Sequence, residues 1–145
     1  MTKIINKKAH FNYELGDRVE AGIVLTGAEV KSAKRGEADL AGATCKIIPN
    51  KFGSREIWVY NLKIFPYKHA DNTEYDPTRR RKLLVHQKEI VALESKMRTG
   101  RLLLVPAIMY TKEGMVKIEI ALARGKRKYE KREAIKKRDL DREMR

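Results

Sequence analysis

The sequence LLLVPAIMYTKEGMVKIEIALA, residues 102–123, decides the fold class because it joins two apolar segments through a short polar turn. From residue 116 to residue 122 every second position holds Val, Ile or Leu, and the positions between them hold Lys, Glu and Ala. A period of two is typical of a β-strand with one buried face. The polar residues KEG at 112–114 provide the turn. The stretch therefore predicts a β-hairpin.

Upstream of this hairpin, two more segments are rich in β-forming residues. They are ATCKIIP (43–49) and EIWVYNLKIF (56–65), and the link between them, NKFGS, places Gly53 at a bend. Such a link is typical of a second hairpin. Residues 11–25 are also strand-like and end in the apolar EAGIVL. The chain is therefore predicted to contain five or six strands.

A short helix is predicted to follow the first strand. The sequence Thr26-Gly27-Ala28-Glu29 is a capping box, in which Thr26 caps free backbone N–H groups and Glu29 reaches back to the cap residue. Gly36 is expected to end this helix.

A second helix is predicted over residues 86–99, with Gly100 as its stop, and residues 67–82 are predicted to form a long polar loop. Two short helices among this many strands exclude a doubly wound sheet. They favour a mainly β fold, a small closed β-barrel of the oligonucleotide-binding (OB-like) type with short helices and a basic tail. The expected parts are a flexible basic arm (1–8), an OB-like RNA-binding barrel (9–123) and a basic C-terminal tail (124–145).

The net charge of +14 in 145 residues indicates a polyanionic partner. A membrane surface is the rival polyanion, but no apolar run could span a bilayer, and the tail carries too few apolar residues for a membrane-binding face. A nucleic acid is therefore the expected partner. The basic residues are concentrated in the arm, in KSAKR (31–35), in RRRK (79–82) and in the tail.

Cysteine and histidine usage argues against disulfides and metal sites. Cys45 is the one cysteine, which fits a reducing cytoplasm, and its apolar neighbours favour a buried hydrophobe over a reactive thiol. The three histidines lie far apart, so no zinc site and no cofactor are expected. The N-terminus lacks the apolar segment of a signal peptide. We therefore expect a cytoplasmic protein.

No catalytic constellation is visible in the sequence. The acidic residues fall on different predicted elements, whereas a metal-dependent nuclease needs several carboxylates or histidines that converge on its ions. We therefore expect a protein that is not an enzyme, and EDTA-sensitive cleavage of RNA is the observation that would contradict this.

Trp58 is interpreted as a core residue rather than a base-stacking surface. This favours recognition of a folded RNA by its backbone and shape.

Four segments, in order, resemble the SsrA-binding protein (SmpB) family. They are NKKAHFNYE (6–14), VEAGIVLTGAEVKS (19–32), DPTRRRKLL (76–84) and GKRKYEKR (125–132), and the similarity extends to about Arg142. The resemblance implies an OB-type barrel without enzymatic activity. It also implies binding to the tRNA-like domain of transfer-messenger RNA (tmRNA, or SsrA RNA) and its delivery to stalled ribosomes for trans-translation.

The resemblance also implies an RNA-binding surface. Asn6 matches an RNA-contacting asparagine of the family, and Glu20 matches a glutamate that the family needs for RNA binding. Glu29 is interpreted as a member of the capping box, and Leu84 is equally compatible with a core position and with an RNA contact. The expected RNA-binding residues are Asn6, Lys7, Lys8, Glu20, Lys31, Ser32, Arg35, Arg79, Arg81, Lys82 and Leu84.

The tail matches the family motif GKK-x-x-DKR, with Glu130 in place of the usual aspartate, while Phe11 stands where the family often has histidine. The high charge predicts a tail that is disordered when free. The i,i+4 pair Glu133 and Lys137 favours a helix once ribosomal phosphates relieve the repulsion. The expected ribosome-contacting residues are Lys126, Arg127, Lys128, Tyr129, Glu130, Lys131, Arg132, Lys136, Lys137 and Arg138.

By the resemblance, the tail contacts small-subunit rRNA at the decoding site and enters the empty mRNA channel of the ribosome. The protein is expected to act as a monomer. The alternative is a ribosomal or initiation-type barrel protein that binds rRNA directly as a structural component.

Overall fold

A computed structural model of the protein describes residues 2–126 and residue 138. The fold is mainly β. Its elements in chain order are β1 (Lys3–Ile5), α1 (Lys7–Asn12), β2 (Tyr13–Ile23), α2 (Gly27–Lys34), β3 (Ala38–Asp39), β4 (Thr44–Pro49), β5 (Arg55–Tyr60), β6 (Lys63–Ile64), β7 (Arg81–Leu84), α3 (Gln87–Gly100), β8 (Leu103–Lys112) and β9 (Met115–Gly125).

One large antiparallel sheet dominates the architecture. Its strand order is β1-β8-β4-β5-β7-β2-β9, and β8 and β9 also pair with each other. β3 and β6 form a separate two-stranded sheet. The strand that ends the order, β9, is thus hydrogen-bonded to both β2 and β8.

The hairpin predicted over residues 102–123 is confirmed. β8 and β9 pair up to Lys112 and Met115, and the two residues between them, Glu113 (φ 51°) and Gly114 (φ 77°), both have left-handed backbone conformations. This is the conformation that tight two-residue hairpin loops require. The alternating apolar side chains of β9 are buried: Val116, Ile118, Ile120 and Leu122.

The hairpin between β4 and β5 is also confirmed. The Asn50 side chain accepts hydrogen bonds from the backbone N–H groups of Phe52 (2.9 Å) and Ser54 (3.0 Å), and Gly53 has a φ of 83°. The segment predicted as one strand from 56 to 65 is interrupted at Asn61, whose φ of 61° turns the chain between β5 and β6.

The hydrophobic core is formed mainly by side chains from the large sheet. Ile90 and Leu93 of α3 and Ala33 of α2 pack into it. Burial of an apolar side chain of this size contributes roughly 1.5–3 kcal/mol to stability. Cys45 belongs to this core, and burial raises the pKa of its thiol well above the ordinary range. The interpretation of Cys45 as a buried hydrophobe is therefore confirmed.

The N-terminal segment differs from the predicted flexible arm. β1 pairs with β8, with Ile4 opposite Met109, and Ile4 packs against the core. Asn6 is buried directly after it. α1 then occupies residues 7–12, so the strand predicted from residue 11 begins at Tyr13. β1 is stabilised by its pairing with β8, about a hundred residues away in the chain. Its three residues are too few to indicate a strand from the sequence alone.

Two other predicted boundaries are also corrected. β7 begins at Arg81, inside the segment predicted as a loop, because it pairs with both β5 and β2. β9 continues to Gly125, which lies opposite Tyr13 of β2. The sheet therefore includes the first two residues that were assigned to the tail.

The helix ends confirm one prediction and correct another. α2 has the predicted capping box, with Thr26 Oγ1 accepting from the Glu29 N–H (3.2 Å) and the Glu29 carboxylate accepting from the Thr26 N–H (3.0 Å). α3 runs through Gly100 instead of stopping at it. Its cap is Arg101, which has a left-handed backbone (φ 52°, ψ 47°).

Candidate nucleic-acid interface

An exposed groove lies where β2, β5, β7 and β9 meet the start of α3, and we call it the strand-face groove. Its volume is about 470 Å³. It brings together three of the residues that the sequence predicted to bind RNA. The groove is lined by, among others, Glu20, Glu56, Lys82, Leu84, Gln87 and Lys117.

Glu20 stands on β2 with basic and hydroxyl groups around it. Its carboxylate accepts a hydrogen bond from the Tyr110 hydroxyl and lies 3.4 Å from the Lys112 ammonium. The hydrogen bond from Tyr110, with the charges of Lys112 and Lys117, lowers the pKa of Glu20. Burial and the Glu20 carboxylate raise the pKa of Tyr110. The Glu20 carboxylate is thus ionised and is held in place by Tyr110 and Lys112, and it can accept further hydrogen bonds from a ligand.

Lys82 and Leu84 lie on the outward side of β7. The Lys82 ammonium is 3.9 Å from the Glu56 carboxylate and its side chain is 42% exposed. Leu84 is 56% exposed and lies against Gly22, where a side chain would contact it. The core interpretation of Leu84 is therefore wrong, and a surface contact is the interpretation that its position supports.

Arg81 differs from the expected RNA contact because its side chain is fully buried. Both Arg79 and Arg81 donate to the Glu29 carboxylate, which has no exposure to solvent. Arg81 also donates to the Leu62 carbonyl (2.6 Å), and the Tyr75 hydroxyl donates to Glu29 (3.2 Å). Two members of the arginine run, Arg79 and Arg81, therefore have their counterion within the fold, and it is Glu29.

The pKa of Glu29 shows how strong this network is. Burial alone would raise it, but hydrogen bonds from Arg79, from the Thr26 backbone and from Arg81 lower the pKa of Glu29 to about 2. Arg79 keeps 35% of its side chain exposed, so it remains accessible at the surface. Glu29 is thus both the capping-box carboxylate that the sequence predicted and the centre of a buried ion cluster that it did not predict.

Asn6 is also buried rather than exposed. Its amide donates to the Leu40 carbonyl (3.1 Å) and the Pro106 carbonyl (2.8 Å), and its side-chain oxygen accepts from the Ala9 N–H (3.0 Å). It therefore caps α1 and fixes that helix to β8. Lys7 and Lys8, on the first turn of α1, are exposed to solvent.

The predicted residues of α2 lie on two sides of that helix. Ser32 is fully buried. Lys31 and Arg35 are exposed, with the Lys31 ammonium 5.4 Å from the centre of the Tyr67 ring and the Arg35 guanidinium 3.2 Å from Glu37. Of this group, only Lys31 and Arg35 can contribute to a surface.

The predicted ribosome-contacting residues are described at only two positions. The Lys126 backbone N–H donates to the Asn12 carbonyl (3.0 Å), and its ammonium donates to the His10 carbonyl (3.1 Å), so Lys126 fastens α1. Arg138 lies with its guanidinium 5.6 Å from the centre of the Phe11 ring. The predictions for residues 127–132, Lys136 and Lys137 lie outside the described residues.

Sequence reasoning did not find Tyr110 and Lys112 as neighbours of Glu20. They lie 90 and 92 residues from it along the chain, so no local pattern links them. Trp58, interpreted as a core residue, is half-buried and lies outside the core cluster. Lys117 could have been predicted as a surface residue, because the alternation of β9 places it on the face opposite the buried side chains.

Neither a metal-binding cluster nor a membrane-spanning helix is found among the described residues. Within residues 2–126, no group of three or more His, Cys, Asp or Glu side chains is placed to hold a metal ion. None of the described helices is long and apolar enough to cross a membrane.

The fold and the groove define a small basic β-sheet protein with an exposed charged sheet face, a class that includes many nucleic-acid-binding proteins. The family model for SmpB protein matches residues 3–145, and the chain belongs to this family.

Curated relatives and a solved structure agree with this assignment. The SsrA-binding proteins of Persephonella marina and of a Sulfurihydrogenibium species are 48% and 49% identical over 139 residues, covering 96% of this chain and 88% of each relative. A chain of the solved structure described as "tmRNA-SmpB: a journey to the center of the bacterial ribosome" is 37% identical. That comparison has a TM-score of 0.69 and covers 92% of this chain and 94% of the other.

Proposed function

We propose that this protein binds the tRNA-like domain of tmRNA and delivers it to stalled ribosomes for trans-translation and tagging of the incomplete peptide. Membership of the SmpB family over nearly the whole chain carries this proposal. The net charge of +14 and the exposed strand-face groove are its physical support. The protein acts on ribosomes, in the cytoplasm, as a monomer and without enzymatic activity of its own.

We further propose that the large sheet is a closed barrel of the OB-like type. The supporting observation is the additional pairing of β8 with β9, because it joins the two ends of the run β8-β4-β5-β7-β2-β9. Closure removes unpaired strand edges, and OB-type barrels use an outer strand face to bind nucleic acids. The strand-face groove lies on such a face.

The predicted RNA-binding residues divide into two groups by exposure. Glu20, Lys82 and Leu84 form the centre of the proposed contact surface, and the exposed cations Lys7, Lys8, Lys31, Arg35 and Arg79 extend it. Asn6, Ser32 and Arg81 are buried. We assign Asn6 and Arg81 positioning roles, because their hydrogen bonds hold the elements that carry the exposed residues, whereas the buried Ser32 hydroxyl has no hydrogen-bond partner among the described residues.

The basic tail is the second binding element of the proposal. Residues 127–145 contain nine basic and five acidic residues, which suits contact with rRNA phosphates at the decoding site and in the empty mRNA channel. There the tail would take the place of the codon–anticodon pairing that tmRNA lacks.

Competition binding tests the choice of RNA. A fluorescent tRNA-like domain of tmRNA is bound to the protein and displaced by the same unlabelled RNA or by small-subunit rRNA fragments at matched, moderate salt. We expect tmRNA to compete at least about tenfold better than the rRNA fragments. Equal competition would favour the alternative of a ribosomal or initiation-type protein that binds rRNA directly.

Substitutions test the contact surface in the same assay. Glu20→Ala and Lys82→Ala should each weaken tmRNA binding by about fivefold, while Lys88→Ala, on the exposed side of α3, should leave it unchanged. The recovered RNA should be intact after incubation in Mg²⁺. Cleavage that EDTA abolishes would show that the protein is a nuclease instead.

A further inference from the structure

Arg80 points away from the buried ion cluster that its two neighbours form. Arg79 and Arg81 donate to Glu29, whereas Arg80 is exposed. Arg80 directly precedes β7, and its guanidinium lies over the ring of Trp58 on β5, which is the cross-strand partner of Lys82. Arg80 therefore lies next to Lys82, which belongs to the strand-face groove.

The Arg80 guanidinium lies over an aromatic ring. Its central carbon lies 4.5 Å from the centre of the Trp58 ring. The indole is itself held, since its N–H donates to the Glu56 carboxylate (3.0 Å), which lies 3.9 Å from the Lys82 ammonium. A cation–π contact of this kind restricts the movement of a guanidinium and uses none of its hydrogen-bond donors.

Those donors have no partner among the described residues. Within residues 2–126 and 138, the Arg80 guanidinium makes no hydrogen bond or ion pair, and its contact is the Trp58 ring. A guanidinium that is restricted by a ring contact, and whose N–H groups have no hydrogen-bond partner, is suited to donate to two oxygens of a phosphate. A nucleobase is a poorer fit, because Arg80 already occupies a face of the indole on which the base would stack.

We propose that Arg80, held on Trp58, binds a backbone phosphate of the RNA and extends the strand-face groove past Lys82. The inference rests on the proposed function and assigns a contact to this chain's own Arg-Trp pair. Arg80 thus takes the role that the sequence gave to Arg81. Lys82, two residues away on the same face, supplies a second cation for the same stretch of backbone.

The single tryptophan makes the contact directly observable. Tryptophan emission is recorded while the tRNA-like domain of tmRNA is added to saturation, and binding is followed in parallel by the anisotropy of labelled RNA. We expect the emission of Trp58 to change with the same midpoint as the anisotropy. Unchanged emission at full RNA saturation would overturn the proposal.

Substitutions provide the second measurement. Arg80→Ala should weaken binding by about tenfold near 0.1 M salt and reduce the slope of log K against log salt by about one unit. Arg80→Lys keeps the charge, so it should keep the slope and recover part of the affinity. Lys63→Ala is the matched control, because Lys63 is also an exposed cation over an aromatic ring, that of Phe65 at 5.1 Å. It should bind as the wild type does.

The outcomes separate this inference from the proposed function. If the wild-type protein does not bind the tRNA-like domain, both fail. If the wild-type protein binds it and Arg80→Ala keeps the wild-type affinity and salt slope, only the role of Arg80 fails. Urea unfolding of each variant checks that it is folded, which the exposed position of Arg80 leads us to expect.

Discussion

At the scale of single residues, the buried carboxylate of Glu29 joins two parts of the fold. It closes the capping box of α2 and receives two guanidinium groups from the arginine run. A buried charge is tolerated only when its partners satisfy it, and removal of one partner leaves the other unpaired. The arginines that the sequence assigned to RNA are thus partly used to hold α2 and β7 together.

Glu29→Gln should lower the free energy of unfolding at pH 7 by about 3–5 kcal/mol, because it leaves the buried Arg81 cation without its counterion. The folded pKa of Glu29, about 2, lies below its ordinary value of 4.5. The unfolded chain therefore binds the proton more tightly, and the stabilisation, complete above about pH 5, is lost as the pH falls toward 2. Urea unfolding at pH 7 and pH 3 measures both effects.

The control for this variant is Glu37→Gln, which removes an exposed ion pair with Arg35 and should cost less than about 1 kcal/mol. The stability difference between wild type and Glu29→Gln should shrink at pH 3. A loss below about 1 kcal/mol at pH 7, or a difference that does not change with pH, would contradict the buried network.

Asn6→Ala tests whether that residue positions α1 or contacts RNA. The variant removes the side-chain hydrogen bonds to the Leu40 and Pro106 carbonyls and leaves α1 without its cap, so it should cost about 2–3 kcal/mol of unfolding free energy. Asn12→Ala, at the other end of α1, should change stability by less than about 0.5 kcal/mol. Full stability together with weakened tmRNA binding would show instead that Asn6 contacts the RNA.

At the scale of elements, α3 ends in an unfavourable backbone conformation. Arg101 has a left-handed conformation (φ 52°), which a residue with a Cβ adopts at a cost, and the preceding Gly100 is still helical. The added side chain of an alanine at Gly100 would lie 3.1 Å from Leu102. Gly100 therefore lies one position before Arg101, the residue that adopts the left-handed conformation.

Arg101→Gly should raise the free energy of unfolding by about 0.5–1 kcal/mol, because glycine adopts the left-handed conformation without steric cost. The same substitution inside the helix, Arg98→Gly, should lower it by about 1 kcal/mol. Thermal or urea unfolding of the two variants measures the difference. Destabilisation by Arg101→Gly would mean that the arginine side chain stabilises the helix end by more than its backbone costs.

Elements with a local sequence signal were predicted, and elements held by distant partners were not. The alternation of β9, the capping box of α2 and the Asn50–Ser54 turn depend on residues that are close in the chain. β1 and β7 are only three and four residues long, too short to show a period, and their partners lie far away in sequence. The family motif points to the arginine run as a whole, and only the folded structure separates the exposed Arg80 from the buried Arg81.

At the scale of the whole molecule, the C-terminal end of the sheet defines where the tail begins. Gly125 pairs with Tyr13, Arg124 forms an ion pair with Glu14, and Lys126 donates to two carbonyls of α1. The folded body therefore extends through Lys126. Since residues 127–145 hold nine basic and five acidic residues, most of the net charge of +14 also stays with that body.

Deletion of residues 127–145 should therefore separate the two binding elements. Stability should fall by less than about 1 kcal/mol, the size of a cation–π contact such as that of Arg138 with Phe11. Affinity for the tRNA-like domain should stay within about threefold at matched salt, since the strand-face groove is intact. Peptide tagging in a cell-free translation of mRNA without a stop codon should be abolished.

A longer deletion, of residues 124–145, is the informative comparison, because it also removes the Arg124–Glu14 ion pair and the Lys126 hydrogen bonds to α1. It should be less stable than the shorter deletion by about 1–3 kcal/mol and should bind RNA more weakly as α1 loosens. A tagging defect seen only in the longer deletion would then reflect loss of the folded body. Tagging at the wild-type rate in the shorter deletion would show that residues 127–145 are not the ribosome-contacting element.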